Sequence, residues 1–240
     1  MKNILYILVC SVFFTQFVNA EISAKIIDTK GDAKVRFGLE EKWNNASAGI
    51  NLKEIDTILT GENGEIILQF ESGKRFILGS NSILDIGDLR EIQEKELFLY
   101  LMSKKVEKFE LRNERTKLRI GNISSVYGED KSKSDSTKTD KTEESISGKE
   151  VNGAIALFVQ RYYTNTLYKL HNLLDKYKSV INMGKVNYFI AKAFEAIDKK
   201  GQAMDAFQKV IDNYEGQKIL SNEDSLYLSE SKNAIAKLKK

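Results

Sequence analysis

The spacing of apolar residues changes once along this 240-residue chain, and that change restricts the fold more than any other feature. From Ile26 to about Gly128, apolar and polar residues alternate with a period of two, in short runs separated by Gly and Asn, which is typical of β-strands. From Val151 onward the period becomes that of an amphipathic helix. The sequence therefore predicts an α+β multidomain protein, with an N-terminal all-β roll or sandwich followed by all-α, repeat-like helix hairpins.

A polar segment separates the two patterns. Glu129 to Glu150 contains a single apolar residue, Ile146, and is otherwise made of Ser, Thr, Lys, Asp, Glu and Gly. Such a segment cannot bury enough apolar surface to order itself, so we expect a disordered polar linker at 129–150. The predicted domains are then a β domain at 21–128 and a helical domain at 151–240.

The first twenty residues have the layout of a secretory signal peptide. A lysine near the start precedes an apolar run from Ile4 to Phe14, and Val18 and Ala20 stand at the two recognition positions. We expect cleavage between Ala20 and Glu21, and a periplasmic or secreted protein. An uncleaved anchor is the alternative, but the apolar run is shorter than the roughly 20 residues that span a bilayer.

The one cysteine, Cys10, lies inside this segment. Lipid attachment at Cys10 is disfavoured, because Val9 precedes it where Gly, Ala or Ser would be expected. Cleavage would leave a chain with no cysteine, so no disulfide, thiol nucleophile or thiolate metal site is expected. No later apolar segment approaches the length of a bilayer span, so we expect no transmembrane span after cleavage.

Two turn signals organise the predicted strands. Glu65 to Phe70 alternates in polarity, Ser72-Gly73 follows as a tight turn, and Lys74 to Leu78 alternates again, which together indicate a β-hairpin. Asn63-Gly64 just upstream is a second turn, because both residues tolerate positive φ. Leu97 to Met102 is apolar on both faces, so it is predicted to be a covered central strand.

Several runs in this region follow one order and spacing. They are Gly31 to Val35, Trp43 to Leu52, Asp56 to Gly61, Leu68 to Gly73, Ser82 to Ile86 and, at the close, Ile123 to Gly128. With these runs, residues 26–128 resemble the FecR-type extracytoplasmic domain. The resemblance implies a small all-β domain outside the cytoplasm that makes protein contacts or surveys the envelope, and it implies no catalysis.

The helical region contains one clear pair of amphipathic stretches, Val186 to Ile197 and Ala203 to Tyr214. The pair resembles a tetratricopeptide repeat, and a fainter copy stands 37 residues earlier. Ser225 to Leu238 is predicted to be a final helix with Asp224 as N-cap. At least three such repeats are usually needed to bury a continuous core. The helical array is therefore expected to pack against the β domain, a second copy or a partner. The resemblance rests on Ala191, Phe194, Ala203, Phe207 and Val210, and in the fainter copy on Ala154, Leu157, Thr166, Leu170 and Leu173.

Few residues stand out as candidates for a site. Trp43, the only tryptophan, is either a half-buried packing residue, the commoner role, or a platform that stacks on a glycan. His171, the only histidine, has no cysteine or second histidine with which to bind a metal, and no nucleophile-elbow pattern accompanies it. The aspartates of the polar segment lack the glycine and terminal glutamate of a calcium loop. We therefore predict no catalytic residue, metal or cofactor, with Trp43 as the candidate for binding.

Charge and architecture together favour a protein that makes contacts. The 37 basic and 34 acidic residues are interleaved, so nucleic-acid binding is disfavoured. The favoured hypothesis is a non-enzymatic adaptor that binds an envelope protein or peptide, with a homo-oligomer as a further possibility. The alternative is a module that binds glycan or peptidoglycan through Trp43. A hydrolase that relies on carboxylates alone is the third hypothesis.

Overall fold

The computed structural model of the chain describes residues 22–113, 136–177 and 181–239, and of residues 106–113 and 136–142 it describes the helical backbone alone. The predicted signal peptide with its Ala20–Glu21 cleavage point, and the segment Ile123 to Gly128, lie outside the described residues. Eight strands are described: β1 Ser23–Lys30, β2 Ala33–Arg36, β3 Asn44–Asn45, β4 Asn51–Lys53, β5 Thr57–Thr60, β6 Glu65–Phe70, β7 Arg75–Leu78 and β8 Ile83–Asp85. A 3-10 helix at Ile86–Leu89 and six α-helices follow: α1 Glu94–Asn113, α2 Ser136–Val159, α3 Tyr163–Lys176, α4 Met183–Ala196, α5 Lys200–Tyr214 and α6 Asn222–Leu238.

The strands form two antiparallel sheets of four strands each. Their orders are β4-β1-β6-β7 and β3-β2-β5-β8. Alternation along the strands turns one face of each sheet inward, and the two inner faces share one apolar core. The α+β class is therefore confirmed: two antiparallel sheets precede a set of helices.

The predicted hairpin is confirmed as β6–β7. Phe76 and Leu78 of β7 pair with Leu68 and Ile66 of β6, and all four side chains are buried. In the turn, the Phe70 N–H donates to Lys74 O at 3.0 Å. Gly73 has a φ of 78°, a conformation that a side chain would strain.

The Asn63-Gly64 turn is also present, but for a different reason from the one predicted. The only glycine of this corner with positive φ is Gly31, at 59°. A Cβ on Gly64 would lie 2.2 Å from Asp32 O, and one on Gly31 would lie 2.1 Å from Asn63 O. Glycine is required here because two backbone segments approach each other closely.

The predicted central strand at Leu97 to Met102 is wrong, because these residues belong to α1. Leu97, at one helical face, is buried in the helical core, and Leu101 one turn later packs against the same core. Phe98 and Met102 also lie one turn apart, but both are exposed. A six-residue apolar run fits a covered strand and a helix equally well, since period alone does not separate them.

The helix pair predicted around Asp198 is confirmed as α4 and α5, which join through residues 197–199. The final helix is present as α6, but its predicted N-cap is wrong. Ser221 is the cap, since its Oγ accepts from the Asp224 N–H at 3.0 Å. Asp224 instead accepts from the Tyr214 hydroxyl at 2.5 Å, which ties the start of α6 to the end of α5.

The predicted linker is wrong for residues 136–150, which form the first part of α2. The second part of α2 carries apolar side chains that pack on both cores, among them Ala154 and Leu157. Once the packed part of α2 has nucleated the helix, each further polar residue can join it at a small cost in free energy, because propagation adds one hydrogen bond per residue. The boundary predicted at 150/151 therefore falls in the middle of a helix. Residues 129–135 lie outside the described residues.

Candidate functional site

The helices pack on the sheets through α2 and α3. A Cβ on Gly153 would lie 2.0 Å from Ile83 O, so the α2 backbone rests directly on β8. Leu157, one turn later, is fully buried in the sheet core. Of the three supports expected for the helical array, the structure shows the first, the β domain. We call this contact the seam; its other main residues are Ile77, Asp85, Asp88, Gln160, Asn165 and Lys169.

A buried lysine lies at the centre of the seam. Lys169 of α3 is only 6% exposed, and its Nζ contacts Asp85 Oδ2 at 3.2 Å and a carboxylate oxygen of Asp88. Burial by itself would lower the pKa of Lys169, but the charges of Asp88 and Asp85 raise it above its usual value. The ammonium group is therefore held charged between two carboxylates.

The two carboxylates differ in their surroundings. Burial raises the pKa of Asp88 even though Lys169 is adjacent. The Asp85 side chain is about half exposed. Its partial burial acts to raise its pKa, but the charge of Lys169 and a hydrogen bond from Thr57 outweigh that effect and lower the pKa of Asp85. These opposite shifts within one cluster resemble those of acid–base sites. Here, however, every member has a protein partner, which favours a structural role.

Side-chain amides complete the seam by satisfying backbone groups of the sheets. Gln160 accepts from the Ile77 N–H and donates to Ile77 O, both at 2.8 Å, as a neighbouring strand would. β7 is the outer strand of its sheet, so Gln160 covers part of an open edge. Asn165 donates to Asp88 O and Arg90 O, both at 2.6 Å. The sequence alone does not reveal the roles of these residues. Its only signal is Lys169, a lysine on the same helix face as the buried Thr166 and Leu170.

A second surface lies on the side of α3 that faces away from the seam, where α1 packs against the other helices. The centres of the Tyr100 and Tyr168 rings lie 4.3 Å apart, with the ring planes tilted by 42°, and Lys104 pairs with Asp175 at 3.0 Å. Lys199, before α5, contacts Glu94 at 3.2 Å. A space of about 380 Å³ remains between α1, α3, α4 and α5. We call this space the groove.

The groove has an apolar floor and a mostly basic rim. Leu101, Leu174, Ile190, Phe194 and Ala206 supply the floor. On the α1 side, Phe98 is 60% exposed and Met102 is 42% exposed. Apolar side chains grouped in this way beside a concave surface mark a binding site more often than single exposed ones do. The polar rim is made by Lys104, Lys105, Gln202, Asp205 and Lys209.

Trp43, the candidate from the sequence, does not line the groove. It precedes the edge strand β3 and is half-buried. The Arg36 guanidinium lies 5.3 Å from the centre of its ring, and the same guanidinium donates to Thr57 Oγ1 at 3.0 Å. A cation–π contact of this kind uses one face of the indole. The packing interpretation of Trp43 therefore has a specific partner, and stacking on a glycan stays a prediction.

Two further residues have structural roles. Asp56 is buried, and its carboxylate accepts from the Gly38 and Lys53 N–H groups, each at 2.8 Å, so it stabilises the turn that precedes β5. His171 is half-buried, with Nδ1 2.7 Å from Leu167 O and its ring against Phe194. His171 thus lines the groove through packing contacts.

Within residues 22–113, 136–177 and 181–239, no group of three or more His, Cys, Asp or Glu side chains is placed to hold a metal ion. No described helix combines the length and the apolar character that crossing a bilayer requires. Comparisons with protein-family models, with curated proteins and with solved structures gave no match. The two family resemblances therefore remain predictions.

Proposed function

We propose that this chain is an exported, non-enzymatic adaptor that holds a protein partner in the bacterial envelope. The observation that carries the proposal is the groove, where Phe98 and Met102 stay in solvent beside a floor of apolar side chains. Keeping two large apolar side chains exposed costs solubility, and a partner that covers them recovers about 25 cal/mol for each Å² of apolar surface. The groove is therefore the surface that a partner segment would cover.

The lining of the groove indicates the chemistry of the partner. Two lysines, Lys105 and Lys209, stand against one aspartate, Asp205, whereas the charge of Lys104 is paired with Asp175. An apolar floor under a basic rim suits an amphipathic protein segment that has apolar side chains on one face and acidic side chains beside them. Complementary charge mainly raises the rate of encounter and selects among partners.

The family resemblances support the same kind of role. A tetratricopeptide-like interpretation of α4 and α5 is supported by the burial of all five matching positions, including Ala191 and Phe207. A FecR-like interpretation is supported by two small antiparallel sheets and by the turn glycine Gly31. Both resemblances imply contact with other proteins. In this proposal the seam sets the position of the groove relative to the sheets.

The test is site-specific photocrosslinking in cells. A photoreactive residue at position 102 is expected to trap a partner by its groove-binding segment, which mass spectrometry identifies. A synthetic peptide of that segment should then bind the purified chain, and Phe98→Ser with Met102→Gln should weaken binding by at least about tenfold, the equivalent of about 1.4 kcal/mol.

Leu226 provides the matched control, since it is also an exposed apolar residue on a helix but does not line the groove. Crosslinking from position 226 should trap a different set of proteins or none, and Leu226→Gln should leave peptide binding unchanged. Identical products from positions 102 and 226 would contradict the groove as the contact surface.

Export is the second part of the proposal. It rests on the apolar run from Ile4 to Phe14 and on the small residue Ala20 that follows it. N-terminal sequencing of the protein from the cell envelope should begin at Glu21. A retained Met1 or an acylated Cys10 would overturn this part.

A further inference from the structure

A second cavity, independent of the groove and of the adaptor proposal, opens on the sheet side of the molecule. It lies where the β6–β7 turn, the stretch after the 3-10 helix and the α2–α3 connection meet, and its volume is about 810 Å³. A space of this size accommodates a ligand of several rings. We call it the cleft.

The cleft is lined by three cationic side chains against one carboxylate. Lys74 comes from the β6–β7 turn, Arg75 from the first position of β7 and Arg161 from the end of α2, whereas Glu91 is the acidic lining residue. All three cations are exposed, and none of them forms an ion pair within the part of the chain that the structure describes. Cations gathered in a cleft raise the local concentration of anions.

Arg161 stands at a position where the backbone favours glycine. Its φ is 69°, and α2 ends there with the Arg161 N–H donating to Phe158 O at 3.0 Å and the Tyr162 N–H donating to Leu157 O at 2.9 Å. Helices that end in this way usually carry glycine at the left-handed residue, because a side chain is strained there. A residue other than glycine in this strained conformation suggests that the Arg161 guanidinium has a role beyond stability.

The remaining lining suits the hydroxyls and C–H faces of a sugar. The Tyr162 ring is fixed edge-on against Phe76 at 5.9 Å, and burial raises the pKa of Tyr162, which keeps its hydroxyl protonated as a donor. Ser72 and Thr164 add two more hydroxyls, and Val159, 70% exposed, adds an apolar wall. Aromatic rings and apolar side chains beside hydroxyls are the usual surroundings of bound sugars.

We propose that the cleft binds an anionic glycan chain, with Arg161, Lys74 and Arg75 holding its carboxylate or phosphate groups. Arg161 provides the paired N–H donors that match either group. Lys74, in the β6–β7 turn, and Arg75, at the start of β7, add two more positive charges. This site is separate from Trp43, which lies on the other sheet.

An acidic peptide fits the cleft less well. An extended peptide would need free backbone groups on the nearby strand edge, but the Ile77 N–H and C=O are both bonded to Gln160. Strand addition at this point of β7 is therefore blocked.

The experiment is calorimetric titration of the purified mature chain at low salt. The probes are hexagalacturonate, a phosphomannan oligosaccharide, neutral maltohexaose and a glutamate hexapeptide. We expect at least one anionic glycan to bind about tenfold more tightly than maltohexaose and the peptide, and the better of the two identifies the carboxylate or the phosphate as the group recognised. Arg161→Gly should weaken that binding by about five- to tenfold, as expected for one exposed ion contact.

Arg161→Gly also provides its own folding control, because glycine relieves the left-handed strain and the melting temperature should stay level or rise. A double variant of two exposed residues, Lys74→Gln with Arg75→Gln, tests the other wall, at the β6–β7 turn and the start of β7. Lys218→Gln, an exposed lysine that does not line the cleft, should bind as the wild type does. The proposal fails if neither anionic glycan outbinds maltohexaose, if the glutamate peptide binds as well, or if Lys218→Gln weakens binding as much as Arg161→Gly.

Discussion

The helical region makes two very different contacts, the seam with the sheets and the groove beside α1. In the seam, the buried ammonium of Lys169 and the backbone groups of Ile77 have fixed partners, and Gly153 lets two backbones touch. In the groove, the side chains of Phe98 and Met102 are 60% and 42% exposed. The seam therefore fixes the shape of the molecule, whereas the groove keeps apolar surface available for a partner. Substitutions of seam residues should therefore destabilise the protein, whereas substitutions of exposed groove residues should be tolerated.

The sharpest test of this comparison is Gly153→Ala. The new methyl would meet Ile83 O at 2.0 Å, a backbone atom that cannot move aside, so α2 must lift from β8. We expect a loss of about 3 kcal/mol or more in the free energy of unfolding, at the upper end of overpacking effects. Urea unfolding followed by circular dichroism measures it.

Gly148→Ala is the matched control, since Gly148 is in the same helix and a Cβ there would meet nothing within 4 Å. Replacing a helical glycine with alanine in open space should stabilise by about 0.5–1 kcal/mol. Equal effects at 148 and 153 would show that α2 does not rest on the sheet.

Lys169→Met should have the next largest effect. It leaves Asp88 buried without its cation, and breaking a buried pair in this way costs about 3–5 kcal/mol. Asp88→Asn in the same chain should recover part of the loss. Lys232→Met removes an exposed pair with Glu215, 3.4 Å apart, and should cost less than about 1 kcal/mol.

The raised pKa of Lys169 adds a pH dependence with a definite sign. Its folded-state pKa lies above the unfolded value of 10.5, so its stabilisation is fully present below pH 10.5 and is lost as the pH rises through the folded pKa. The difference in unfolding free energy between wild type and Lys169→Met should therefore be constant from pH 8 to 10. At higher pH this difference in unfolding free energy should shrink by up to about 1.4 kcal/mol per pH unit. A difference that grows with pH would contradict the proposed charge state.

Gln160→Leu should have a moderate effect. It leaves the Ile77 N–H and C=O without partners at an edge strand, at a cost of about 1–2 kcal/mol. The opened edge should also promote self-association, which light scattering detects. Gln208→Leu removes an exposed contact with Asp212 on α5 and should change stability by less than about 0.5 kcal/mol, without association.

The smallest effect is expected in the groove. Met102→Gln alters an exposed side chain, so the free energy of unfolding, measured by thermal unfolding, should change by less than about 0.5 kcal/mol. Leu97→Gln on the same helix buries an amide in the helical core and should cost about 2 kcal/mol or more. If Met102→Gln destabilises as much as Leu97→Gln, the groove is part of the core and the comparison fails.

How far the sequence predicts this fold depends on the length and clarity of each pattern. The β6–β7 hairpin was predicted correctly, because strict alternation and a Ser72-Gly73 turn are both local signals. The α4–α5 hairpin was correct for the same reason, with a full helical face of apolar residues. Leu97 to Met102 was assigned wrongly, since six apolar residues in succession contain no usable period.

By itself, the sequence determined the strands and helices whose apolar faces are regular, the order of the β and helical regions and the positions of several turns. The tertiary structure alone decided that polar residues 136–150 are helical, because that helix is nucleated by Leu157 and Gly153 docking on the sheets. It also decided the partners of Lys169 and Gln160, which lie more than 80 residues away in the chain. Local propensity carries no information about such partners, since they are set by which surfaces meet and by the cost of leaving a buried polar group unpaired.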